Sequence, residues 1–236
     1  FKREKGAWSM TDEERTIRIT DGGAYIVSGA VPISEKVITP EGKGYVWKDG
    51  REIEQKGKYA LCRCGRTERA PFCDGNHAKG APFKGKETAS RKPYDKRAKT
   101  IKGKGMDLKD DGRCALARFC HTDRGDVWKL TKKSDDPKNY EAAIKAASEC
   151  PTGRLVAYDK DGTPHKTELD QEIIVVQDPE KSCSGGYYVK GGIRLISSDG
   201  EEYETRDRYV LCRCGASRDT PFCDASHVSR HFSDRK

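Results

Sequence analysis

Two seventeen-residue stretches constrain this chain more than anything else in it. Leu61 to His77 reads LCRCGRTERAPFCDGNH, and Leu211 to His227 reads LCRCGASRDTPFCDASH. Cys62, Cys64, Cys73 and His77 recur as Cys212, Cys214, Cys223 and His227, each displaced by 150 positions. Pro71, Phe72 and Asp74 recur as Pro221, Phe222 and Asp224 at the same displacement. A repeat of this kind implies two copies of one structural unit. The likeness reaches upstream, where Tyr25-Ile-Val-Ser-Gly-Ala-Val aligns with Tyr187-Tyr-Val-Lys-Gly-Gly-Ile at a displacement of 162. The first copy therefore carries about 12 extra residues between these blocks, placed in a loop around ITPEGKGYVWKDG.

Each copy reads as short strands feeding a metal loop. Tyr25–Val31 and Tyr187–Leu195 are rich in β-branched and aromatic residues, with glycines at the bends. Lys58–Leu61 and Arg208–Leu211 predict strands running into Cys-x-Cys. Pro71 and Pro221 belong to the turn after it. Asp74 and Asp224 are good N-caps, so a helix is expected to start at each. Cys73 and His77 are four apart, as are Cys223 and His227, which lets both members of a pair point the same way from one turn.

Which chemistry needs three thiols and an imidazole so close together? Charged residues make up 36% of the chain and hydrophobic ones 34%. So large an apolar deficit favours small units stapled by metal. A disulfide within Cys-x-Cys would close a very short, strained loop, and a reducing cytosol keeps such thiols free. Zinc accepts Cys₃His, but its structural sites usually draw pairs from Cys-x₂₋₄-Cys. A two-iron cluster needs two outer ligands on each iron. Cys62 with Cys64 would serve one iron and Cys73 with His77 the other. A Cys–His nucleophile would not require two further cysteines repeated in register.

These stretches resemble the CDGSH (mitoNEET-like) iron–sulfur family, whose motif is C-x-C-x₂-[S/T]-x₃-P-x-C-D-G-[S/T/A]-H. The first copy supplies Cys62, Cys64, Thr67, Pro71, Cys73, Asp74, Gly75 and His77, with Asn76 where a smaller residue is usual. The second supplies Cys212, Cys214, Ser217, Pro221, Cys223, Asp224, Ser226 and His227, with Ala225 replacing the glycine. The resemblance implies one [2Fe–2S] cluster per motif, held by three Cys and one His. An oxidised core of charge +2 with three thiolates and a neutral imidazole would total −1, against −2 for four thiolates. The potential should therefore lie above that of an all-cysteine site. Protonation of the imidazole would detach a ligand as pH falls. Amides at the adjoining helix start would favour the cluster's negative charge. Family members are intertwined homodimers with a strand-exchanged β cap. One chain with two units implies an intramolecular pseudo-dimer, in which the strands around Tyr25 and Tyr187 pass between units.

Between the copies lies a different segment. Tyr140, Ile144 and Ala147 have helical spacing, with Ser134, Asp135 and Asp136 available as caps, and Glu172-Ile-Ile-Val-Val predicts a strand. Bacterial ferredoxins use C-x₂-C-x₂-C and a remote Cys-Pro. Here Cys114 and Cys120 keep the outer places, Ala117 occupies the middle one, and Cys150-Pro151 supplies the remote one. The segment resembles the divergent single-cluster ferredoxin domains. Two readings stay open: a [3Fe–4S] or [4Fe–4S] cluster on Cys114, Cys120 and Cys150, or a ferredoxin-like scaffold without one. His121 and Cys183 are read as incidental, and His165 and His231 as ordinary surface residues.

The fold expected is α+β: two small β-rich CDGSH units forming a pseudo-dimer with a strand-swapped cap, plus a ferredoxin-like insert. The boundaries are an N-terminal segment at 1–21, a first unit with basic linker at 22–100, the insert at 101–180 and a second unit at 181–236. Formal net charge is +8. The window from Lys79 to Lys104 holds ten Lys/Arg against Glu87 and Asp95 alone. It is read as a solvated linker, with only Phe83 and Tyr94 as aromatics and no nucleic-acid motif. Arg63, Arg66 and Arg213 are read as surface charge able to attract an acidic partner. No run of about 18 apolar residues exists to span a membrane. The opening FKREKGAWSM lacks the apolar core of a secretory signal. A cytoplasmic monomer is expected, compatible with a targeting peptide upstream. No substrate pocket, nucleotide motif or acid–base pair marks an enzyme. The expected role is electron transfer or cluster transfer, with a redox protein or an apo iron–sulfur acceptor as partner. The alternative is a zinc-stapled module that grips nucleic acid or an acidic protein through its basic segment.

Overall fold

The computed structural model describes residues 14–55 and 57–235; positions 1–13 of the expected N-terminal segment lie outside the described residues. The described part begins with β1 (Thr16–Ile19), β2 (Tyr25–Ser28), β3 (Ile33–Glu41), β4 (Gly44–Asp49) and β5 (Tyr59–Leu61). The middle contains α1 (Tyr94–Arg97), β6 (Lys99–Lys102), β7 (Met106–Asp110), β8 (His121–Thr122), β9 (Gly125–Asp126), α2 (Val127–Lys132), α3 (Pro137–Ser148) and β10 (Leu155–Asp159). The last part contains β11 (Glu172–Asp178), β12 (Cys183–Lys190), β13 (Arg194–Ile196), β14 (Arg208–Leu211) and α4 (Ser226–Ser229). The architecture is α+β and rich in sheet.

Two sheets carry the repeat, with strand orders β13-β1-β2-β5 and β14-β12-β11-β3-β4. Tyr25 stands opposite Leu61 across β2 and β5, and Tyr187 opposite Leu211 across β12 and β14. Thus β1, β2 and β5 correspond to β11, β12 and β14. The two remaining central pairings join distant halves of the chain. Strand β13 runs parallel to β1, with Leu195 opposite Ile17, and β3 runs parallel to β11, with Glu35 opposite Val175. The strands around Tyr25 and Tyr187, expected to pass between units, each stay in their own sheet; the strand after each one crosses. Left-handed pairs at Gly29–Ala30 and Gly191–Gly192 turn the chain out at those points.

The sheets share one core. Ile17, Tyr25, Val27 and Leu61 pack with Ile173, Val175, Tyr187, Val189 and Leu211, all fully buried. Each such side chain contributes about 1.5–3 kcal/mol on burial. The rings of Tyr25 and Tyr187 meet edge to face at 6.2 Å, near the centre of this core.

The insert has its own sheet, β10-β7-β6, and its own core of Met106, Leu108, Leu130, Ala143, Ala147 and Leu155. Helix α3 starts where Asp136 accepts the Lys138 N–H at 2.8 Å, and Tyr140, Ile144 and Ala147 lie on its packed face, as the spacing predicts. Among the described residues no helix is long and apolar enough to cross a membrane.

Three boundary expectations change. Strand β11, assigned by sequence to the insert, belongs to the second unit's sheet, because it plays the part there that β1 plays in the first. Strand β1 likewise lies within the 1–21 segment yet completes the first sheet. The extra residues of the first copy form β4 and the end of β3, a hairpin rather than a loop. The basic stretch is no solvated linker. Thr88 and Ala89 donate to Thr220 O at 2.8 and 2.9 Å, Glu87 accepts from Ser197, Ser198 and Tyr203, and Tyr94 is buried. Its lysines face water, while the few residues between them strap it to the second unit.

Candidate metal centres

Each motif loop is built by the same hydrogen bonds. Cys62 N–H donates to Pro71 O and Cys73 N–H to Ala60 O, both at 2.9 Å; Cys212 N–H donates to Pro221 O at 2.8 Å and Cys223 N–H to Val210 O at 2.9 Å. The Thr67 hydroxyl donates to Phe72 O at 2.6 Å, and Ser217 to Phe222 O at 2.7 Å. The Asp74 carboxylate accepts from the amides of Glu68 and Asn76, and Asp224 from those of Arg218 and Ser226. A hydroxyl at one place and a carboxylate at the other thus brace each loop. The acids are not N-caps: Gly75 (φ 84°) and Ala225 (φ 69°) hold that position. The helical segments they open are a 3₁₀ turn, Asn76–Ala78, and the four-residue α4, both too short for an appreciable macrodipole.

The four candidate ligands of each motif fall into two pairs. Cys62 Sγ lies 3.8 Å from Cys64 Sγ, and Cys73 Sγ lies 3.3 Å from His77 Nδ1. In the second motif Cys212 and Cys214 are 3.7 Å apart, and Cys223 Sγ lies 3.4 Å from His227 Nδ1. Two sulfurs at about 2.3 Å from one tetrahedral metal stand about 3.8 Å apart, and sulfur with nitrogen about 3.5 Å. Each pair thus has the span of a two-ligand pincer. Among the described residues no three His, Cys, Asp or Glu side chains gather as a site for a single ion. The donor set fits a two-metal group better than a lone tetrahedral ion. All ten cysteines are free.

The two loops press against each other. A Cβ built on Gly65 would stand 2.7 Å from Cys214 O, and one on Gly215 would stand 2.6 Å from Cys64 O. Tyr25 OH donates toward Cys212 O (3.0 Å) and Pro221 O (3.1 Å), while Tyr187 OH donates toward Cys62 O (2.9 Å) and Pro71 O (3.0 Å). Each sheet thereby anchors the metal loop of the other half. Sequence reasoning aligned these tyrosines and glycines but assigned them no role at the site. Their identity at matched positions was the signal.

In the insert, Cys114, Cys120 and Cys150 line one small cavity together with Trp128 and Arg154. Leu116 N–H donates to Cys114 Sγ at 3.3 Å, an amide contact suited to a thiolate. Burial, and then the neighbouring Cys150 and Cys114, push the Cys120 thiol up to about 12. Ala117, at the place of the missing cysteine, is buried in a cluster with Val176, Tyr188 and Cys223. Cys183 is buried in β12, and His121 and His231 are exposed. His165 bonds Asp159 at 2.9 Å. None of these four joins a ligand set.

Family models match the chain in three places. The iron-binding zinc finger of CDGSH type matches residues 22–78 and 184–228, and the divergent 4Fe-4S mono-cluster model matches 101–160 between them. The chain thus carries two CDGSH-type iron-binding segments with a divergent 4Fe-4S mono-cluster segment between them. No curated protein and no solved structure matches it.

The two CDGSH units differ in their electrostatics. Within each Cys-x-Cys, one thiol is drawn down and the other pushed up. The Cys62 S–H, with Arg66 adding to it, draws Cys64 down to about 5, and the Cys214 S–H draws Cys212 down to about 6. His227 is 3% exposed; burial, then the Arg213 guanidinium, push its imidazole down to about 4. His77 is half-buried. Arg63 and Arg213, expected on the surface, are each 2% exposed, because their guanidinium groups stack near Tyr25 and Tyr187 at 5.6 and 5.5 Å. Only Arg66 of the three is exposed, tied to His77 O and Ala81 O at 2.9 and 2.8 Å.

Proposed function

We propose that each CDGSH unit holds one [2Fe–2S] cluster: Cys62 and Cys64 on one iron with Cys73 and His77 on the other, and Cys212, Cys214, Cys223 and His227 likewise. The observation that carries this reading is the division of each ligand set into two pincers rather than one tetrahedral cage. When bound, such a group supplies reversible one-electron chemistry. The chain's own part is to hold the thiolates and a neutral imidazole in a loop braced by Thr67 or Ser217 and Asp74 or Asp224. The β1–β13 and β11–β3 pairings and the crossed tyrosine hydrogen bonds support an intramolecular pseudo-dimer, monomeric in light scattering. The shared cavity of Cys114, Cys120 and Cys150 supports a third cluster in the insert.

The protein is on this reading a cytoplasmic electron carrier or cluster donor, not an enzyme. Exposed Arg66 and the lysines of the 79–104 stretch favour an acidic redox partner or apo-acceptor. Anaerobic iron and sulfide counting with EPR tests it: about two irons and two sulfides per CDGSH motif are expected, with more iron if the insert is loaded. A colourless protein with about one zinc per motif would refute it. Replacing both His77 and His227 by Cys should retain the clusters, slow their acid loss and lower their potential.

A further inference from the structure

Arg63 and Arg213 occupy the same place in the two units, between Cys-x-Cys ligands, yet their surroundings differ. Arg213 has a buried carboxylate partner, which Arg51 shares at 3.8 Å. Its Nη1 pairs with Asp234, whose side chain is 4% exposed and is held by Ser184 (2.7 Å) and Gln177 (3.0 Å). Its Nε and Nη2 donate to Gly185 O (2.9 Å) and Val176 O (2.8 Å). Among the described residues the hydrogen bonds of Arg63 go only to carbonyls, Thr20 O at 3.1 Å and Gly85 O, and its guanidinium lies over the rings of Tyr25 and Phe83 at 5.6 and 5.5 Å. Among the described residues its Nε is buried without a partner, and no carboxylate lies within ion-pair distance of it. A buried cation without a counter-ion is an uncompensated positive field in a medium of low dielectric constant.

Two further differences have the same sign. The exposed guanidinium of Arg66 sits beside Cys64, and its counterpart is Ala216. Cys73 and His77 are half-buried, whereas Cys223 and His227 are 4% and 3% exposed. Water and unpaired cations both favour the more negative state of an anionic group. Both cations that act on His227 have carboxylate partners: Arg213 pairs with Asp234, and Arg118 with Asp178 at 2.7 Å.

Resting on the [2Fe–2S] reading, we infer that the two CDGSH sites are electrically inequivalent. The first unit takes up the first electron, because Arg63 and Arg66 hold its potential above that of the second, where Asp234 pairs with Arg213. The pseudo-twofold is thus broken by charge, and an electron accepted by either unit comes to rest at the first, beside the more accessible histidine.

The test uses the full chain, loaded and titrated anaerobically with dithionite and mediator dyes, with EPR and visible absorbance as readouts. Iron and sulfide counts on the same sample come first; a shortfall there refutes the cluster reading itself and not the ordering. His77→Cys, which alters the first unit's signal, assigns the waves. Two reduction waves are expected, the higher belonging to the first unit. Asp234→Asn keeps the shape of the side chain and frees the charge of Arg213, so it should raise the lower wave and leave the higher one in place. Arg66→Ala should lower the higher wave alone. Superimposed waves in the loaded wild-type protein, or a lower wave unmoved in Asp234→Asn of intact iron content, would overturn the inference. Should Asp234→Asn lose iron, Arg66→Ala decides, and an unmoved higher wave overturns it.

Discussion

Gly215→Ala probes the point where the two CDGSH loops touch. Gly215 has φ of 72°, and a Cβ there would stand 2.6 Å from Cys64 O and 2.9 Å from Cys64 C. Those are backbone atoms of a ligand loop and cannot swing aside. Gly75 is the control: its φ is 84°, but an added Cβ meets nothing within 4 Å. The left-handed conformation costs an L residue about 1–2 kcal/mol, which is all that Gly75→Ala should show. Overpacking adds about 1–3 kcal/mol, so Gly215→Ala should lose about 2–5 kcal/mol in all. At about 2–4 °C per kcal/mol for a chain of this size, the control falls by about 2–8 °C and Gly215→Ala by about 4–20 °C. Melts monitored by far-UV circular dichroism measure both. The difference between the two variants is the useful quantity, since a cofactor-bearing protein does not unfold in two strict states. Gly65→Ala, with its Cβ 2.7 Å from Cys214 O, should behave like Gly215→Ala. Equal losses for Gly75→Ala and Gly215→Ala would mean that the loops do not press on each other, and the reasoning from their contact would fail.

Three other outcomes rest on the geometry. Arg118→Met should cost about 3–5 kcal/mol in urea unfolding, because it strands Asp178, whose side chain is 2% exposed; Arg118→Met with Asp178→Leu should recover most of that loss, and a neutral single variant counts against the pair. Tyr187→Phe keeps the ring contact with Tyr25 but removes the phenol that reaches Cys62 O at 2.9 Å; a loss of about 1–2 kcal/mol is expected, and Tyr25→Phe should match it. Burial works against the Asp107 carboxylate, but Lys102 and Lys160 hold its pKa down to about 2, below its ordinary 3.8. A carboxyl depressed in the folded state stabilises above 3.8 and loses that contribution as pH falls through about 2, so urea midpoints should drop across this window and do so less in Asp107→Asn.

Much of the site was legible because it is local. Cys-x-Cys brings two sulfurs together whatever the rest of the chain does, and Cys-x₃-His does the same for sulfur and nitrogen across one turn. The hydroxyl of Thr67 or Ser217 and the carboxylate of Asp74 or Asp224 act within six residues of their partners. Strand β14 and helix α3 also announced themselves, the first by its run into Cys212, the second by its cap at Asp136 and the spacing of Tyr140, Ile144 and Ala147. Charge runs misled. Lys79 to Lys104 reads as solvated, but Glu87, Thr88, Ala89 and Tyr94 among those lysines carry the contacts, and composition averages them away.

Sequence alone determined the eight paired donors, since their distances depend on a few dihedral angles within each loop. Tertiary structure decided everything set by separation: that β3 and β13 cross rather than β2 and β12, that Tyr187 reaches Cys62 and Tyr25 reaches Cys212, and that three scattered cysteines of the insert share a cavity. The tripeptide Cys-Arg-Cys occurs identically in both units. Its arginine has a buried carboxylate partner in one, where Asp234 folds back on Arg213, and none among the described residues in the other, and local sequence carries no record of which distant side chain fills a buried pocket.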